Sequence, residues 1–338
     1  NDDPTLGSSQ VNTLEPLQAF ITYKADKFDA LSAVTVGRVS IDHGSRRLIA
    51  KGVFRNAINS FDGVLADLQW QHWHVRAFYL QPVSRLPTAK PLIDNNEHEL
   101  DESYSERKLY GVFAQTDDDV WRVHSYWFDE SDSEDMATRN RDLYTLGVEY
   151  TNKHFNNWYT NIELIGQTGT ARSSAAANDL TDLDVRGWMV HASLGYDISP
   201  ATRLRAELDM ASGDNDKSDS TIRDFDSLYG VRRFDYGPTD VYQGMPRRNI
   251  VAPGVRSVSK FTPDTNLMLG YKAFWYHRAP NDTDSFIGHQ AEARLRWQIT
   301  PTLRLEWGGA YLLKGDGFER GAYPDNSIYG YTAFLKKF

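Results

Sequence analysis

The chain has 338 residues, a net charge of −9 and a mean hydropathy of −0.56, and it contains no cysteine. The acidic balance argues against a nucleic-acid partner, and the lack of cysteine excludes disulfides and thiolate metal sites or nucleophiles. No window approaches the roughly 18 apolar residues that a membrane-spanning helix needs, so helical spans are excluded as well.

Alternation of polar and apolar residues continues along the whole chain and predicts fifteen β-strands. Residues 290–299 show it most clearly, because five polar residues alternate with Ala, Ala, Leu, Trp and Ile. One face of such a strand is polar and the other is apolar. The predicted strands span residues 17–24, 31–41, 61–70, 73–80, 108–116, 120–128, 143–151, 158–167, 185–197, 202–212, 254–261, 266–277, 290–299, 303–314 and 328–338.

The segments between these strands are of two kinds. Tight turns occupy residues 71–72, 117–119, 198–201, 262–265 and 300–302. Long polar segments occupy residues 42–60, 81–107, 129–142, 168–184, 213–253, 277–285 and 315–327. Strands of about ten residues joined by short periplasmic turns and longer extracellular loops are typical of outer-membrane barrels. We therefore predict an all-β protein, a transmembrane antiparallel β-barrel in the bacterial outer membrane, with lipid and lipopolysaccharide around it.

The aromatic residues fit the same prediction. With 18 Tyr, 16 Phe and 9 Trp, the chain can supply aromatic girdles at both lipid interfaces. The strand phases direct a set of aromatic side chains to lipid near an interface: Trp70, Trp121, Trp158, Tyr196, Trp297 and Phe338.

Domain organisation and strand number follow from the same pattern. No linker and no change in the residue pattern divides the chain, so residues 1–338 are expected to form a single barrel domain. A closed bacterial barrel needs an even number of strands. We therefore expect a barrel of 16 to 18 strands, of which fifteen are visible here and one or more N-terminal strands are missing. Asn1 opens the chain without a start methionine or apolar signal segment, so an export signal is expected to have been removed or to lie outside it.

Continuing the alternation directs many charged side chains to the lumen, where the planar guanidinium groups of arginine could bind carboxylates. The predicted lumen-binding cations are Arg38, Arg76, Arg122, Arg203, Arg205, Lys272, Arg294, Arg296 and Arg304. The carboxylates on the same side are Asp67, Glu149, Glu163, Glu207, Asp209, Glu292 and Glu306. In the alternative interpretation these charges pair with one another, as Arg205 with Glu207 or Arg304 with Glu306, and only keep the lumen hydrated.

The longest loop, residues 213–253, carries more apolar side chains than a disordered segment would. We expect it to fold over or into the mouth of the barrel and to gate it, with Phe225, Tyr229, Phe234 and Tyr236 as gating residues. Asp214, Asp216 and Asp219 in this loop form a weak candidate Ca²⁺ site. Their spacing lacks the glycine and distal glutamate of an EF-hand, so a solvated acidic loop is the favoured interpretation and no cofactor is predicted.

Catalysis is not expected. His74, His124, His191 and His289 lie in or near predicted strands, where solvated or girdle histidines are common. No G-x-S-x-G motif occurs.

Residues 36–64, VGRVSIDHGSRRLIAKGVFRNAINSFDGV, carry a family resemblance. They contain Gly37-Arg38, Gly44 with Arg47, Arg55-Asn56 and Phe61-Asp62-Gly63 in succession. Together with residues 212–226 and with Arg248-Asn249-Ile250, this stretch resembles the alginate-export family of outer-membrane proteins. The resemblance implies an exporter whose arginine-lined pore passes an anionic polysaccharide. Family barrels usually have eighteen strands, more than are visible here, and Lys336 departs from the usual C-terminal signature.

Three functions are compatible with these features. The first is a channel for an anionic polysaccharide or sugar acid, working with periplasmic export partners that the sequence does not identify. The second is a general diffusion porin. The third is a structural or adhesive barrel whose lumen is plugged by a loop.

Overall fold

The computed structural model describes residues 7–8, 15–25, 30–54, 58–238, 245–280, 283–318 and 325–337, with the backbone alone for residues 153–155. The strands are β1 Ala19–Lys24, β2 Leu31–Val39, β3 Phe61–Trp70, β4 Trp73–Ser84, β5 Glu102–Ser103, β6 Arg107–Thr116, β7 Trp121–Glu130, β8 Asp142–Phe155, β9 Trp158–Ala171, β10 Leu183–Ser199, β11 Thr202–Ala211, β12 Thr221–Ile222, β13 Ile250–Thr262, β14 Thr265–Trp275, β15 Phe286–Thr300, β16 Leu303–Lys314 and β17 Ser327–Lys336. Two short helices are α1 Lys90–Asp94 and α2 Arg233–Tyr236. Within the described ranges, no helix is long and apolar enough to cross a membrane.

The long strands form one antiparallel ladder in chain order, in which each pairs with the next long strand from β1 through to β17. The two-residue strands stand outside this order, because β5 pairs with the end of β4 and β12 runs parallel to β10. The fifteen long strands of the described chain correspond one for one to the fifteen predicted strands, and β3 and β16 begin and end as predicted.

Several strands are longer than predicted at the ends that join long loops. The strand β9 continues to Ala171 instead of ending at residue 167, and β4 continues to Ser84 instead of ending at residue 80. Near the rim both faces of a strand meet water, so polar residues occupy both and the alternation that marks a membrane strand fades. The backbone pairing continues there without the sequence signal.

One side of the ladder, called the outer face here, presents exposed apolar side chains such as Leu146 and Leu164. The predicted interfacial aromatics Trp70, Trp121, Trp158, Tyr196 and Trp297 are all exposed close to short turns. At the opposite ends of four neighbouring strands, a row of rings is in contact: Tyr79 with Tyr110, Tyr110 with Trp127, and Trp127 with Tyr144. Aromatic residues thus mark both edges of the apolar band. Phe338 lies outside the described residues.

The other side, called the inner face here, is covered by two connecting segments. The first inner loop (residues 40–54 and 58–60) and the second inner loop (residues 212–238 and 245–249) meet through backbone hydrogen bonds, among them Tyr229 N–H to the Leu48 carbonyl at 2.9 Å and Ala50 N–H to the Tyr229 carbonyl at 3.2 Å. The loops approach so closely that a Cβ on Gly230 would lie 1.8 Å from the Arg47 carbonyl oxygen, which only glycine allows. Buried Phe61, Leu109 and Phe128 pack beneath them.

Candidate functional site

Strand register places eight of the nine predicted cations on the inner face. Arg76 lies opposite Asp67, and Arg122 lies opposite Glu149. Their neighbours along the strands, such as Trp121 beside Arg122 and Trp297 beside Arg296, belong to the exposed outer face. The eight are Arg76, Arg122, Arg203, Arg205, Lys272, Arg294, Arg296 and Arg304.

Arg38 is the exception and corrects the prediction. It lies opposite Asp62, on the side of β2 that carries exposed Val36, whereas Val39 next to it is buried opposite Phe61. Its guanidinium holds both carboxylate oxygens of Asp62 at 2.8 Å. Arg38 therefore belongs to an ion pair on the outer side, at the long-loop end of β2.

Most inner-face cations are paired with carboxylates. Arg76 lies 2.6 Å from Asp67, and Arg122 lies 3.0 Å from Glu149. Four further pairs join Arg203 to Asp197, Arg205 to Glu207, Lys272 to Asp209 and Arg296 to Glu306. The alternative interpretation predicted pairing of this kind, and the Arg205–Glu207 pair is one that it named.

The second pair that it named does not form. Glu306 accepts hydrogen bonds from Arg296 and from the Tyr331 hydroxyl, both at 2.6 Å, instead of pairing with Arg304. Arg296 lies directly opposite Glu306 in the ladder, so it is closer than a residue two positions along the same strand.

Arg294 and Arg304 remain without an ion pair among the described residues, and the Nε atoms of both are buried without a hydrogen-bond partner. Arg294 lines a cavity of about 350 Å³ next to the short turn between β10 and β11. We call it the cationic cavity. Its charged lining consists of five cations and one carboxylate: Arg203, Arg205, Arg256, Lys260, Arg294 and Asp197. An anion entering it would therefore meet an excess of positive charge.

A second cluster of charges is buried where the two inner loops meet the strand wall. Arg47 holds both carboxylate oxygens of Asp235 at 2.9 Å and reaches Glu163 on β9 at 2.8 Å. Arg247 also binds Asp235, at 2.8 and 3.0 Å. Burial alone would raise the pKa of Asp235, but Arg47, and to a lesser degree Arg247, bring this pKa below its usual value.

Three potential metal ligands lie close together in the same region. Single donor atoms of His191, Asp209 and Asp235 fall within 4.8 Å of one another. Three cations already occupy these carboxylates, because Lys272 binds Asp209 while Arg47 and Arg247 bind Asp235. The group is therefore part of an ion-pair network, in which protein cations neutralise the charge that a metal would otherwise balance.

The carboxylates of the weakly predicted Ca²⁺ site are engaged within the Asp-rich turn of the second inner loop. Asp214 and Asp216 accept backbone N–H groups of the turn, and Arg223 pairs with Asp219 at 2.8 Å and with Asp214 at 3.6 Å. The only grouping of three potential ligands in the described residues is the one with His191, so Asp214, Asp216 and Asp219 are not brought together. Local capping of turn amides is the physical reason.

All four predicted gating residues pack inward. Phe225 is fully buried, and Tyr229 contacts the edges of Phe61 and Phe128, with ring centroids at 5.4 and 5.9 Å. Phe234 faces the guanidinium of Arg46 at 4.7 Å. The carbonyl of Tyr236 accepts a hydrogen bond from Gln290 Nε2 on β15 at 2.7 Å. The loop therefore rests against the inner face.

The four histidines considered for catalysis are dispersed. His74 is exposed beside Asp117, His289 contacts the Tyr271 hydroxyl, His124 stacks on Tyr126 and His191 binds Asp209.

Sequence reasoning missed several charged residues of these sites. Arg256 and Lys260 have the strand phase of the inner face, so the alternation could have identified them. Arg47 was noted only as part of the Gly44–Arg47 motif, and Arg247 precedes the noted Arg248. No sequence pattern marked Asp235, because it lies in a long loop without the polar–apolar alternation of the strands.

An antiparallel ladder with an apolar outer face, aromatic edges and a polar inner face defines an outer-membrane β-barrel porin. Solved porins from Pseudomonas are similar in fold. OccK2 (OpdF) of Pseudomonas aeruginosa, solved in complex with glucuronate, superposes with a TM-score of 0.56 at 12% identity, covering 92% of this chain and 79% of that one. OpdK of the same organism, solved with vanillate, gives 0.58 at 12% identity, covering 91% and 74%. A BenF-like porin from Pseudomonas fluorescens Pf-5 gives 0.56 at 11% identity, covering 92% and 75%.

The family is established by sequence. The family described as alginate export matches residues 3–327, and the chain belongs to it. No curated protein matches the chain. Family and fold together make the protein a transport channel of the bacterial outer membrane.

Proposed function

We propose that this channel passes an anionic polysaccharide or sugar acid through an arginine-lined lumen, and that residues 1–338 form a single barrel domain for this purpose. The cationic cavity is the observation that carries the proposal. Five cations converge there with Asp197 as the one carboxylate of the lining, and neither Arg294 nor Lys260 has an ion-pair partner among the described residues. A guanidinium without an ion-pair partner in the protein can donate two parallel hydrogen bonds to a carboxylate of the solute.

Two similar porins support the choice of substrate class. OccK2 (OpdF) was solved with glucuronate and OpdK with vanillate, and both ligands carry a carboxylate. At 12% identity these porins share only the fold with this chain, so the argument depends on its own arginines.

Two other functions each have one observation in their favour. The six inner-face ion pairs favour a general diffusion porin, since paired charges hydrate a lumen without selecting the sign of a solute. The contact between the two inner loops favours a plugged structural or adhesive barrel.

Planar-bilayer recording separates the three functions. In a salt gradient the proposed channel should show a reversal potential of the sign that anion preference requires, and an oligouronate should block its current more strongly than a neutral oligosaccharide of equal length. Cation preference, or equal block by both sugars, would favour the general porin. Complete lack of conductance would favour the plugged barrel.

A further inference from the structure

Arg256 connects the cationic cavity with the second inner loop. Its side chain lines the cavity from β13. The same guanidinium donates from Nη1 to the Phe234 carbonyl at 3.0 Å and from Nη2 to the Asp235 carbonyl at 3.4 Å. Nη2 also lies 3.4 Å from Glu207. One side chain is thus shared between the wall of an anion-attracting cavity and two carbonyls of α2.

The carbonyls that Arg256 holds belong to a helix of four residues. The last carbonyls of any helix lack partners within the helix, so α2 needs hydrogen-bond donors from outside. Arg256 supplies one from the cavity side, and Gln290 supplies another to the Tyr236 carbonyl at 2.7 Å. The seating of α2 on the inner face therefore depends in part on a residue that an incoming anion can reach.

An anion in the cavity would compete for this guanidinium. A carboxylate accepts hydrogen bonds from a guanidinium more strongly than a neutral carbonyl does, and it can engage two N–H groups at once. Arg294 and Lys260 line the same cavity as Arg256, have no ion pair in the described chain and can hold such an anion there. An anion bound to Arg256 in the cavity therefore weakens the hydrogen bonds from Arg256 to the α2 carbonyls.

The position of the cavity determines the side of the membrane from which a substrate reaches it first. It adjoins the short turn between β10 and β11, and short turns lie at the periplasmic end of bacterial barrels. A substrate arriving from the periplasm would reach the cavity before it reached the ion-paired centre of the inner loops.

We propose that the cationic cavity is a binding site for the carboxylate of a sugar acid, and that its occupation draws Arg256 away from α2 and loosens the second inner loop. This inference rests on the proposed function and adds to it that the bound substrate releases the second inner loop from the inner face. Arg294 and Lys260 act as anion-holding residues, and Arg256 couples the site to the loop.

The test uses the absence of native cysteine. Met245→Cys places a unique thiol at a fully buried position of the second inner loop, where maleimide can react only when the loop loosens. In the full-length protein, glucuronate should accelerate this labelling about tenfold, the range expected for losing a charge-assisted hydrogen bond, whereas glucose should leave it unchanged.

Additional substitutions in this background separate the steps. With Arg294→Ser, labelling should stay slow and should no longer respond to glucuronate, because the holding charge is gone. With Arg256→Ala, labelling should be fast without any ligand and unresponsive to it. Arg186→Ser is the matched control, since Arg186 is an exposed arginine outside the cavity, and it should respond as the parent does.

The results distinguish failure of the inference from failure of the proposed function. Block of the current by glucuronate without faster labelling would overturn the release while leaving the anion channel intact. Equal acceleration in the Arg294→Ser background would overturn the cavity as the site. Cation preference together with unresponsive labelling would overturn both. If the cysteine variant does not fold, hydrogen exchange of the Tyr229 and Ala50 amides in the unmodified chain provides the same readout.

Discussion

Arg47 and Asp235 lie 188 residues apart in the sequence and join through two parallel hydrogen bonds of 2.9 Å in the buried centre of the barrel. Arg47 belongs to the first inner loop and Asp235 to the helix of the second. Arg47 also binds Glu163 of the strand wall, so three separate parts of the chain converge on one guanidinium. Because each charge depends on its partner to offset burial, the inner loops should open together.

The first prediction concerns this pair. Asp235→Asn should lower the free energy of opening of the inner loops by about 3–5 kcal/mol, because it leaves Arg47 and Arg247 buried with less compensating charge. Hydrogen exchange of the Tyr229 amide, which bonds the Leu48 carbonyl, measures this opening. Asp184→Asn breaks an exposed ion pair with Arg186 and should change the free energy of opening by less than about 1 kcal/mol. Equal effects of the two substitutions would show that the buried Asp235 ion pairs do not hold the inner loops together.

The barrel wall was predictable from sequence because alternation is local. Each residue of a strand is assigned to a face by its neighbours two positions away, so Arg294 and Trp297 could be placed without knowing their partners. The same rule failed at Arg38, because Val36 and Val39 flank it at unequal spacing and either could mark the apolar side.

The second prediction concerns the second inner loop as a gate. Deleting residues 220–245 should raise single-channel conductance, because it removes Phe225, Tyr229, Phe234 and Tyr236 from the inner face. Conductance in planar bilayers measures the effect. The Asp184→Asn protein, with both inner loops intact, should conduct as the parent does. An unchanged conductance in the deletion would mean that the loop does not limit the pore.

The contacts of the inner loops could not be predicted in the same way. Asp235 finds Arg47 through the fold of the whole chain, and no spacing in the sequence relates two residues so far apart. The apolar content of residues 213–253 indicated that the loop packs, but it did not indicate against which residues. Distant charges lack the periodicity that makes strands recognisable.

The third prediction is a pH dependence from His43 in the first inner loop. Its ring lies between Phe78 and Phe113, and neither nitrogen has a hydrogen-bond partner in the described structure. Burial, followed by the positive charge of Arg76 and that of His124, lowers the pKa of His43 from 6.5 to about 3. The folded state therefore holds His43 neutral.

The sign follows from proton linkage. Between pH 6.5 and about 3 the unfolded chain binds a proton at this residue and the folded chain does not, so stability falls as the pH drops through this range. Urea unfolding in micelles at pH 7.5 and pH 5 should show this loss. His43→Phe keeps the ring contacts and should make the difference between the two pH values smaller. A pH dependence identical to that of the parent would show that His43 does not contribute.

The last prediction concerns selectivity. Replacing Arg294, Arg296 and Arg304 with Ser should abolish or reverse anion preference and weaken block by polyuronate, while the barrel still folds. The net charge of −9 should not decide the outcome, because loop charges are screened within about 10 Å at 0.1 M salt, whereas the field in a narrow lumen is set by the charges that line it. Removing Arg296 also releases Glu306 from its ion pair, which adds an unpaired negative charge to the lining.

Reversal potentials in a salt gradient measure this change, and Arg186→Ser, which removes a positive charge from an exposed position, is the control. Arg294→Ser alone should produce part of the effect, because Arg294 has no ion pair among the described residues and its charge is not offset locally. Anion preference that survives the triple substitution would assign selectivity to other residues of the inner face. A parent protein that prefers cations would refute the anionic-substrate channel and favour the general diffusion porin.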